Sequence, residues 1–310
     1  MKLNEWLEIW LNKYAKHTVK LRTFIKYTEI CEKHIIPMLG EYELQDLTAS
    51  VLQDFAVYKL EHGNLINGQG LSVNTVLGIV SVLKQALNDA VGLGIVDKIY
   101  VSSIRLPQAT EKKISAFERS EQQKIEQFCV HSNKANYIGI VICLYTGIRL
   151  GELLALTWSN IDFDHRILHI DKTVYTAKKD GKRTIIVDKP KTKNSVRSIP
   201  LSYQLARLLK SVKKQSRSEY VIAAKHGGIV SERSYQRTFA SILKRCNVPY
   251  RNFHSLRHTF ATRALEYGVD VKTLSEILGH KNASITLNRY SHSLMSYKAD
   301  MMNKLGKMLE

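Results

Sequence analysis

The sequence predicts a mostly α fold with a small β-sheet, arranged as two domains. Three observations carry this. Apolar residues recur at three- and four-residue spacing over most of the chain, one stretch between residues 167 and 201 reads as short strands, and the charge balance steps sharply near residue 110. A length of 310 residues suits two domains. With 44% hydrophobic and 24% charged residues the composition is that of an ordinary globular protein, which excludes a disordered or collagen-like chain.

Residues 1–105 read as an all-helical domain. Trp6, Leu7, Ile9, Trp10 and Tyr14 share one helical face. A second periodic run extends from Thr23 to Met38, where Pro37 and Gly40 are expected to stop it. A third helix runs from Ser50 to Glu61, capped by Thr48 or Ser50 and ending near Gly63. After the turn-rich HGNLINGQG, Ser72 caps a long helix marked by Val73, Val76, Leu77, Val80, Leu83, Leu87 and Val91, and Gly92 and Gly94 end it. Residues 106–117 are polar, aperiodic and contain Pro107, which reads as an interdomain linker.

The second domain, residues 118–310, opens with helices at Ser120–Val130, Asn136–Tyr145 and Leu150–Trp158, the second broken by Thr146-Gly147. Strands follow at Ile167–Ile170, Thr173–Ala177, Thr184–Val187 and Arg197–Leu201, with turn signals at Asp180-Gly181 and Lys193-Asn194-Ser195. Helices are then expected at Tyr203–Lys214, Ser231–Cys246, Leu256–Tyr267, Val271–Leu278 and Ile285–Tyr290, and a last one in the tail 296–310.

Charge narrows the partner. The net charge is +18, yet residues 1–110 hold 11 basic and 11 acidic side chains while the rest hold 35 and 17. A strongly basic second domain points to a polyanion, most simply nucleic acid. No run approaches the roughly 18 apolar residues of a membrane helix. The start MKLNEWLEIW carries Glu5 and Glu8 and no small-residue cleavage site, so it does not read as a signal peptide. Cys31, Cys129, Cys143 and Cys246 form no CxxC and no metal-ligand spacing, the pattern of reduced thiols in a cytoplasmic protein. No acidic cluster of the two-metal kind and no Walker A sequence occur, so neither a metal nor another cofactor is expected.

Four segments carry chemistry: TGIRLGE with Arg149 and Glu152, Lys191-Thr192-Lys193, HSLRH with His254 and Arg257, and Leu278-Gly279-His280 followed ten residues later by Tyr290. Singly each is weak, since a lone arginine at a helix start is usually a surface charge and a lone HxxR a solvated helix face. Their order and combination are specific. Together they resemble the tyrosine recombinase, or phage integrase, family, whose catalytic set runs Arg, Lys, His-x-x-Arg, His, Tyr. TGIRLGEL, HSLRHTFAT and LGH…T…Y match its signature blocks over residues 117–295. Residues 1–105 resemble the family's core-binding domain, especially in integrases of prophages and conjugative elements of Gram-positive bacteria.

The resemblance implies an all-helical core-binding domain plus a mixed α+β tyrosine-recombinase catalytic domain. It implies a site-specific DNA strand transferase that integrates or excises a mobile element through a 3′-phosphotyrosyl intermediate. Tyr290 would be the nucleophile, and Arg149 and Arg257 the clamp on the non-bridging oxygens. His254 would reach the same phosphate, and His280 would bond the phosphate or assist Tyr290. The general acid would be Lys191, with Lys193 as the alternative, and Glu152 would orient Arg149. The chemistry fits these residue types. A phenol of pKa about 10 needs assistance to attack, and planar guanidiniums match the charge that spreads over a phosphoryl transition state. His258 and His292 flank these positions without motif counterparts and read as structural or as DNA-backbone contacts. Lys13, Lys16, Lys20, Arg22 and Lys26 are candidates for the first domain's DNA-facing surface.

The implied partners are double-stranded DNA attachment sites and three further copies of the chain in a homotetramer. A separate excisionase and a host DNA-bending protein are candidates beyond these. The amphipathic tail, with Met301, Met302, Leu305, Met308 and Leu309, would dock on a neighbouring subunit. Competing readings are a housekeeping recombinase that resolves chromosome dimers, a catalytically inactive DNA-binding relative, and a type IB topoisomerase. The resemblance of residues 1–105 argues against the first and last, and the presence of all six catalytic residue types against the second.

Overall fold

The computed structural model describes residues 1–109, 115–132, 134–179, 182–188 and 196–280, together with residues 282, 284, 302, 303 and 306. The chain divides into two compact units, Met1–Lys112 and Lys113–Glu310.

Unit 1 is helical. Helix α1 (Leu3–Ile9) continues through a π-wound segment (Trp10–Ala15) into the short α2 (Lys16–Thr18). Its buried face carries Leu3, Trp6, Leu7, Trp10 and Leu11. Both indoles bury their rings and still satisfy their N–H groups: Trp6 donates to the Ala86 carbonyl at 2.8 Å and Trp10 to the Asp89 carboxylate at 2.6 Å. Helix α3 (Leu21–Ile30) passes through a second π-wound segment (Cys31–Ile35) into α4 (Ile36–Leu39). Pro37 was expected to stop this run, but it sits in the first turn of α4. There its missing N–H costs little, and the wider π turn just before it accommodates the proline ring. Helix α5 (Ala49–His62) is capped by the Thr48 hydroxyl, which accepts from the Val51 N–H, and α6 (Val73–Gly92) by the Ser72 hydroxyl, which accepts from Thr75 N–H. The helices close on one core built around Trp6, Trp10, Phe55 and Leu83. Lys13, Lys16, Lys20, Arg22 and Lys26 are all exposed.

Unit 2 is organised around α8. After α7 (Arg119–Val130), α8 (Ile138–Thr146) buries Ile138 through Leu144 without interruption, the pattern of a helix enclosed on all sides. Helix α9 (Leu150–Ala155) is shorter than the periodicity predicts. The chain turns extended at Leu156 because its backbone pairs elsewhere: Leu156 C=O accepts from Val221 N–H at 2.9 Å and Trp158 N–H donates to Glu219 at 2.9 Å. The predicted β stretch forms two antiparallel sheets rather than one. β1 (Ile161–Asp162), β2 (Ile167–Ile170) and β5 (Arg197–Pro200) form a three-stranded sheet in the order β1-β2-β5, while β3 (Thr173–Lys179) and β4 (Lys182–Asp188) form a separate ribbon. In register, Leu168 faces Ile199 and Ile170 faces Arg197.

Helices α10 (Tyr203–Gln215), α11 (Glu232–Arg245), α12 (His254–Glu266) and α13 (Val271–Leu278) complete the unit. Phe117, Phe239 and Phe253 meet edge to face, with Phe239 and Phe253 centroids 5.2 Å apart. A small separate cluster, Ala261, Leu265, Leu274 and Leu278, seals α12 against α13 and so fixes where α13 ends. The four cysteines are free thiols. No helix among the described residues is long and apolar enough to cross a membrane. The helix expected at Ile285–Tyr290 lies outside the described residues, and of the tail only residues 302, 303 and 306 are described, each in helical conformation.

Candidate functional site

The site begins at a break in the helical backbone. Helix α8 ends at Thr146 because Gly147 adopts the left-handed conformation, φ +64°, and returns its N–H to the Cys143 carbonyl. A Cβ there would lie 2.5 Å from Phe260 Cδ1 and 2.7 Å from Leu278 Cδ2, so only glycine fits both the angle and the space. The reversal sets Arg149 in extended backbone as the residue that opens α9. Glu152, in the first turn of α9, folds back and accepts from the Arg149 N–H at 2.9 Å and from its Nη1 at 2.8 Å. Gly151 lets α9 lie on β3, since a Cβ would meet Thr173 Oγ1 and the Val174 carbonyl at 2.6 Å.

Arg257 projects from α12 with only 2% of its surface exposed. Its Nη1 donates to the Gly147 carbonyl at 2.8 Å and its Nη2 to the Leu278 carbonyl at 2.7 Å. Arg149 Nη2 donates to the neighbouring Gly279 carbonyl at 3.1 Å. The two guanidiniums therefore converge on the C-terminal end of α13. That end carries unsatisfied carbonyls and the negative pole of the helix, and so attracts cations. Gly279, also left-handed at φ +64°, terminates α13 and leads directly into His280, whose N–H donates to the Ser275 carbonyl at 3.0 Å.

A third arginine completes the cluster. Arg197, at the start of β5, donates Nε to the Ile277 carbonyl at 2.6 Å and its two Nη groups to Glu152 at 3.2 and 2.9 Å. Burial by itself would raise the Glu152 carboxyl. The hydrogen bonds and charge of Arg197, the charge of Arg149 and the Arg149 N–H outweigh it and hold the acid below its ordinary value. Two guanidiniums, of Arg149 and Arg197, face the Glu152 carboxylate while Arg257 is held on backbone carbonyls, so the cluster keeps an excess of positive charge at a point where Arg149 remains 39% exposed. Each terminal guanidinium nitrogen carries two N–H groups, so a guanidinium anchored on carbonyls can also address an anion. The arrangement is suited to hold a phosphate.

Arg149, Glu152 and Arg257 are thus brought together, beside the backbone of His280. His254 is the first residue of α12, and its ring stands 4.9 Å from the ring of His258, edge to face; His258 is buried. Lys191, Lys193, Tyr290 and His292 lie outside the described residues; in sequence the two lysines fall between β4 and β5. Motif reading missed Arg197, although a signal existed. Arg197, Ile199 and Leu201 alternate along the strand, so the arginine occupies a core-facing register position, where a charge needs a buried partner.

Comparison with known proteins agrees with this architecture. Residues 109–296 match the phage integrase family and residues 2–60 its N-terminal SAM-like domain. The chain is 31% identical to a XerC-like tyrosine recombinase of Caldanaerobacter subterraneus subsp. tengcongensis, over 99% of this chain and 83% of the relative. It is 26% identical to the transposase from transposon Tn916 of Enterococcus faecalis, over 95% of this chain and 76% of the relative. It is 25% identical to the ICEBs1 integrase of Bacillus subtilis, over 90% and 76%. Among solved structures, the Tn1549 transposon integrase in complex with transposon right end DNA superposes with a TM-score of 0.79 at 23% identity, covering 99% of this chain and 100% of that one. A lambda integrase tetramer bound to a Holliday junction gives 0.67 at 22% identity, covering 91% and 78%. At these identities the structures attest the fold, and the match of the family model to most of the chain attests the lineage: this chain belongs to the phage integrase family of tyrosine recombinases.

Proposed function

We propose that the chain is a site-specific recombinase that cuts and rejoins duplex DNA to integrate or excise a mobile element, acting in the cytoplasm as a homotetramer assembled on its attachment sites. The observation that carries this is the convergence of Arg149 and Arg257 on the consecutive carbonyls of Gly279 and Leu278, next to His280. In this reading the Tyr290 phenol oxygen attacks the scissile phosphorus as the phenol proton passes to His280 or to solvent water. The 5′-oxygen leaves with a proton from Lys191, or from Lys193 in its place, and a 3′-phosphotyrosyl bond remains. Arg149 and Arg257 neutralise the charge that develops on the non-bridging oxygens, His254 hydrogen-bonds the same phosphate, and His280 bonds the phosphate or assists Tyr290. The 5′-hydroxyl of the second duplex then attacks the phosphotyrosyl bond, so exchange needs no external energy source. The mobile-element relatives, the Tn916 transposase and the ICEBs1 integrase, support this choice of substrate. A second reading, a housekeeping recombinase, has the XerC-like relative on its side.

The test is covalent trapping. Wild type and Tyr290→Phe are incubated in EDTA with nicked duplexes that span either the element junctions or host chromosomal sites, and denaturant-resistant protein–DNA bands are scored. An adduct with wild type alone supports the proposal. Binding without an adduct refutes the catalytic reading in favour of an inactive DNA-binding relative, and an adduct that persists in Tyr290→Phe refutes the choice of nucleophile. An adduct on a host chromosomal site in place of the element junction decides for the housekeeping reading.

A further inference from the structure

We infer that Arg197 is a positioning residue for the phosphate clamp, holding Arg149 in its working orientation through Glu152 and through the end of α13. The inference rests on the reading of Arg149 as a phosphate ligand. Its basis is a run of three consecutive carbonyls, each taken by a different arginine: Ile277 by Arg197 at 2.6 Å, Leu278 by Arg257 at 2.7 Å and Gly279 by Arg149 at 3.1 Å. The Glu152 carboxylate joins the two outer members of this set. It accepts the Arg197 fork at 3.2 and 2.9 Å and Arg149 Nη1 at 2.8 Å.

The two partners of Glu152 differ in access. The Arg197 side chain is 6% exposed and all three of its guanidinium nitrogens are engaged by protein groups, whereas the Arg149 side chain is 39% exposed. Arg149 can therefore meet a ligand while Arg197 ties β5, α9 and α13 together behind it. A fork-on-fork pair fixes the plane of a carboxylate as well as its position. With that plane fixed, Glu152 Oε1 is presented to Arg149 Nη1 in one direction. The bond from Arg197 to the Ile277 carbonyl likewise fixes the strand of backbone that presents the Leu278 and Gly279 carbonyls. A donor stabilises developing charge only when its orientation is set beforehand, and a displacement of about 1 Å can cost on the order of a hundredfold in rate. Lysine could supply the charge but not the fork.

The experiment compares single-turnover cleavage by wild type, Arg197→Met and Arg197→Lys, alone and in an Arg149→Ala background. Two substrates are used: the phosphodiester, and a methylphosphonate that lacks one charged non-bridging oxygen at the scissile position. Arg197→Met is expected to slow phosphodiester cleavage about a hundredfold with DNA affinity unchanged. The defect is expected to shrink to within about threefold on the methylphosphonate, where the charge that Arg149 neutralises is gone, and in the Arg149→Ala background, where there is nothing left to position. Arg197→Lys, which retains the charge and serves if the methionine variant does not fold, is expected to show an intermediate defect with the same rescue. A defect that persists undiminished on the methylphosphonate or without Arg149 would assign Arg197 a purely structural role and overturn the inference, as would wild-type cleavage by Arg197→Lys. Failure of wild type itself to cleave either substrate would overturn the recombinase reading and this inference with it, so the wild-type lane tells the two failures apart.

Discussion

Substituting Gly147 by alanine tests the geometry that delivers Arg149 to the site. Two costs are legible in the structure. The residue holds φ at +64°, a left-handed angle that costs an ordinary side chain about 1–2 kcal/mol. The added Cβ would also stand 2.5 Å from Phe260 and 2.7 Å from Leu278, and overpacking of this kind typically costs about 1–3 kcal/mol. Their sum is about 2–5 kcal/mol. Two control glycines separate the terms. Gly227 has φ +82° with nothing within 4 Å of its Cβ position, so Gly227→Ala should show the backbone term alone. Gly228 has neither a positive φ nor a neighbour within 4 Å, so Gly228→Ala should be close to neutral. The assay is hydrogen exchange of the α8 amides, which reports opening of unit 2 separately from unit 1. Protection should fall by about 30-fold to several-thousand-fold for Gly147→Ala and by about 5- to 30-fold for Gly227→Ala. Equal losses for Gly147→Ala and Gly227→Ala would refute the packing argument. No loss in either would refute the backbone argument as well.

Glu152→Gln should destabilise unit 2 by about 3–5 kcal/mol near neutral pH, because it leaves Arg197 buried without its counter-charge. Since the Glu152 acid is held below its ordinary value of 4.5 in the folded state, its contribution is complete above that value and lost as pH falls through the lowered one. The gap between wild-type and variant urea midpoints should therefore close only in acid. Ser72→Ala should cost unit 1 about 1 kcal/mol by removing the cap of α6, read as a lower melting temperature of that unit with exchange in α8 unchanged. Burial pushes the Cys31 and Cys129 thiols up to about 12 and that of Cys143 higher still, and Cys246 is the one cysteine of intermediate exposure. Burial raises the Cys246 thiol as well, so a thiol-specific disulfide reagent at pH 8 should titrate Cys246 slowly but ahead of the other three in the native protein, and all four cysteines after denaturation.

What the sequence by itself determined follows from local rules. The caps at Thr48 and Ser72, the strand Ile167–Ile170, the helix Val271–Leu278 and the break at Thr146-Gly147 all appear where residue type and spacing put them. The caps, the helix and the break depend on interactions within a few residues, and the strand was legible from its own residue types although its partner β5 lies beyond the hairpin. The motif segments were legible for the same reason, and so was the pairing of Arg149 with Glu152, one helical turn apart. Other features came from partners far along the chain. Helix α9 stops early because residues 219–221 take its backbone, and one expected β stretch divides into a sheet and a ribbon because β5 pairs with β2 across the intervening hairpin. Pro37 continues a helix instead of ending it because of the π turn before it.

Only the tertiary structure decided how the site is wired. Arg197 meets Glu152 across 45 residues and Ile277 across 80, and Arg257 meets Gly147 across 110. Hydrophobic periodicity says that a strand has an inner face, but not which carboxylate awaits an arginine on it. That choice depends on the packing of α12 against α8 and of α13 against α12 and β5, which brings the carbonyl end of one helix and the buried acid of another within reach of the same guanidiniums.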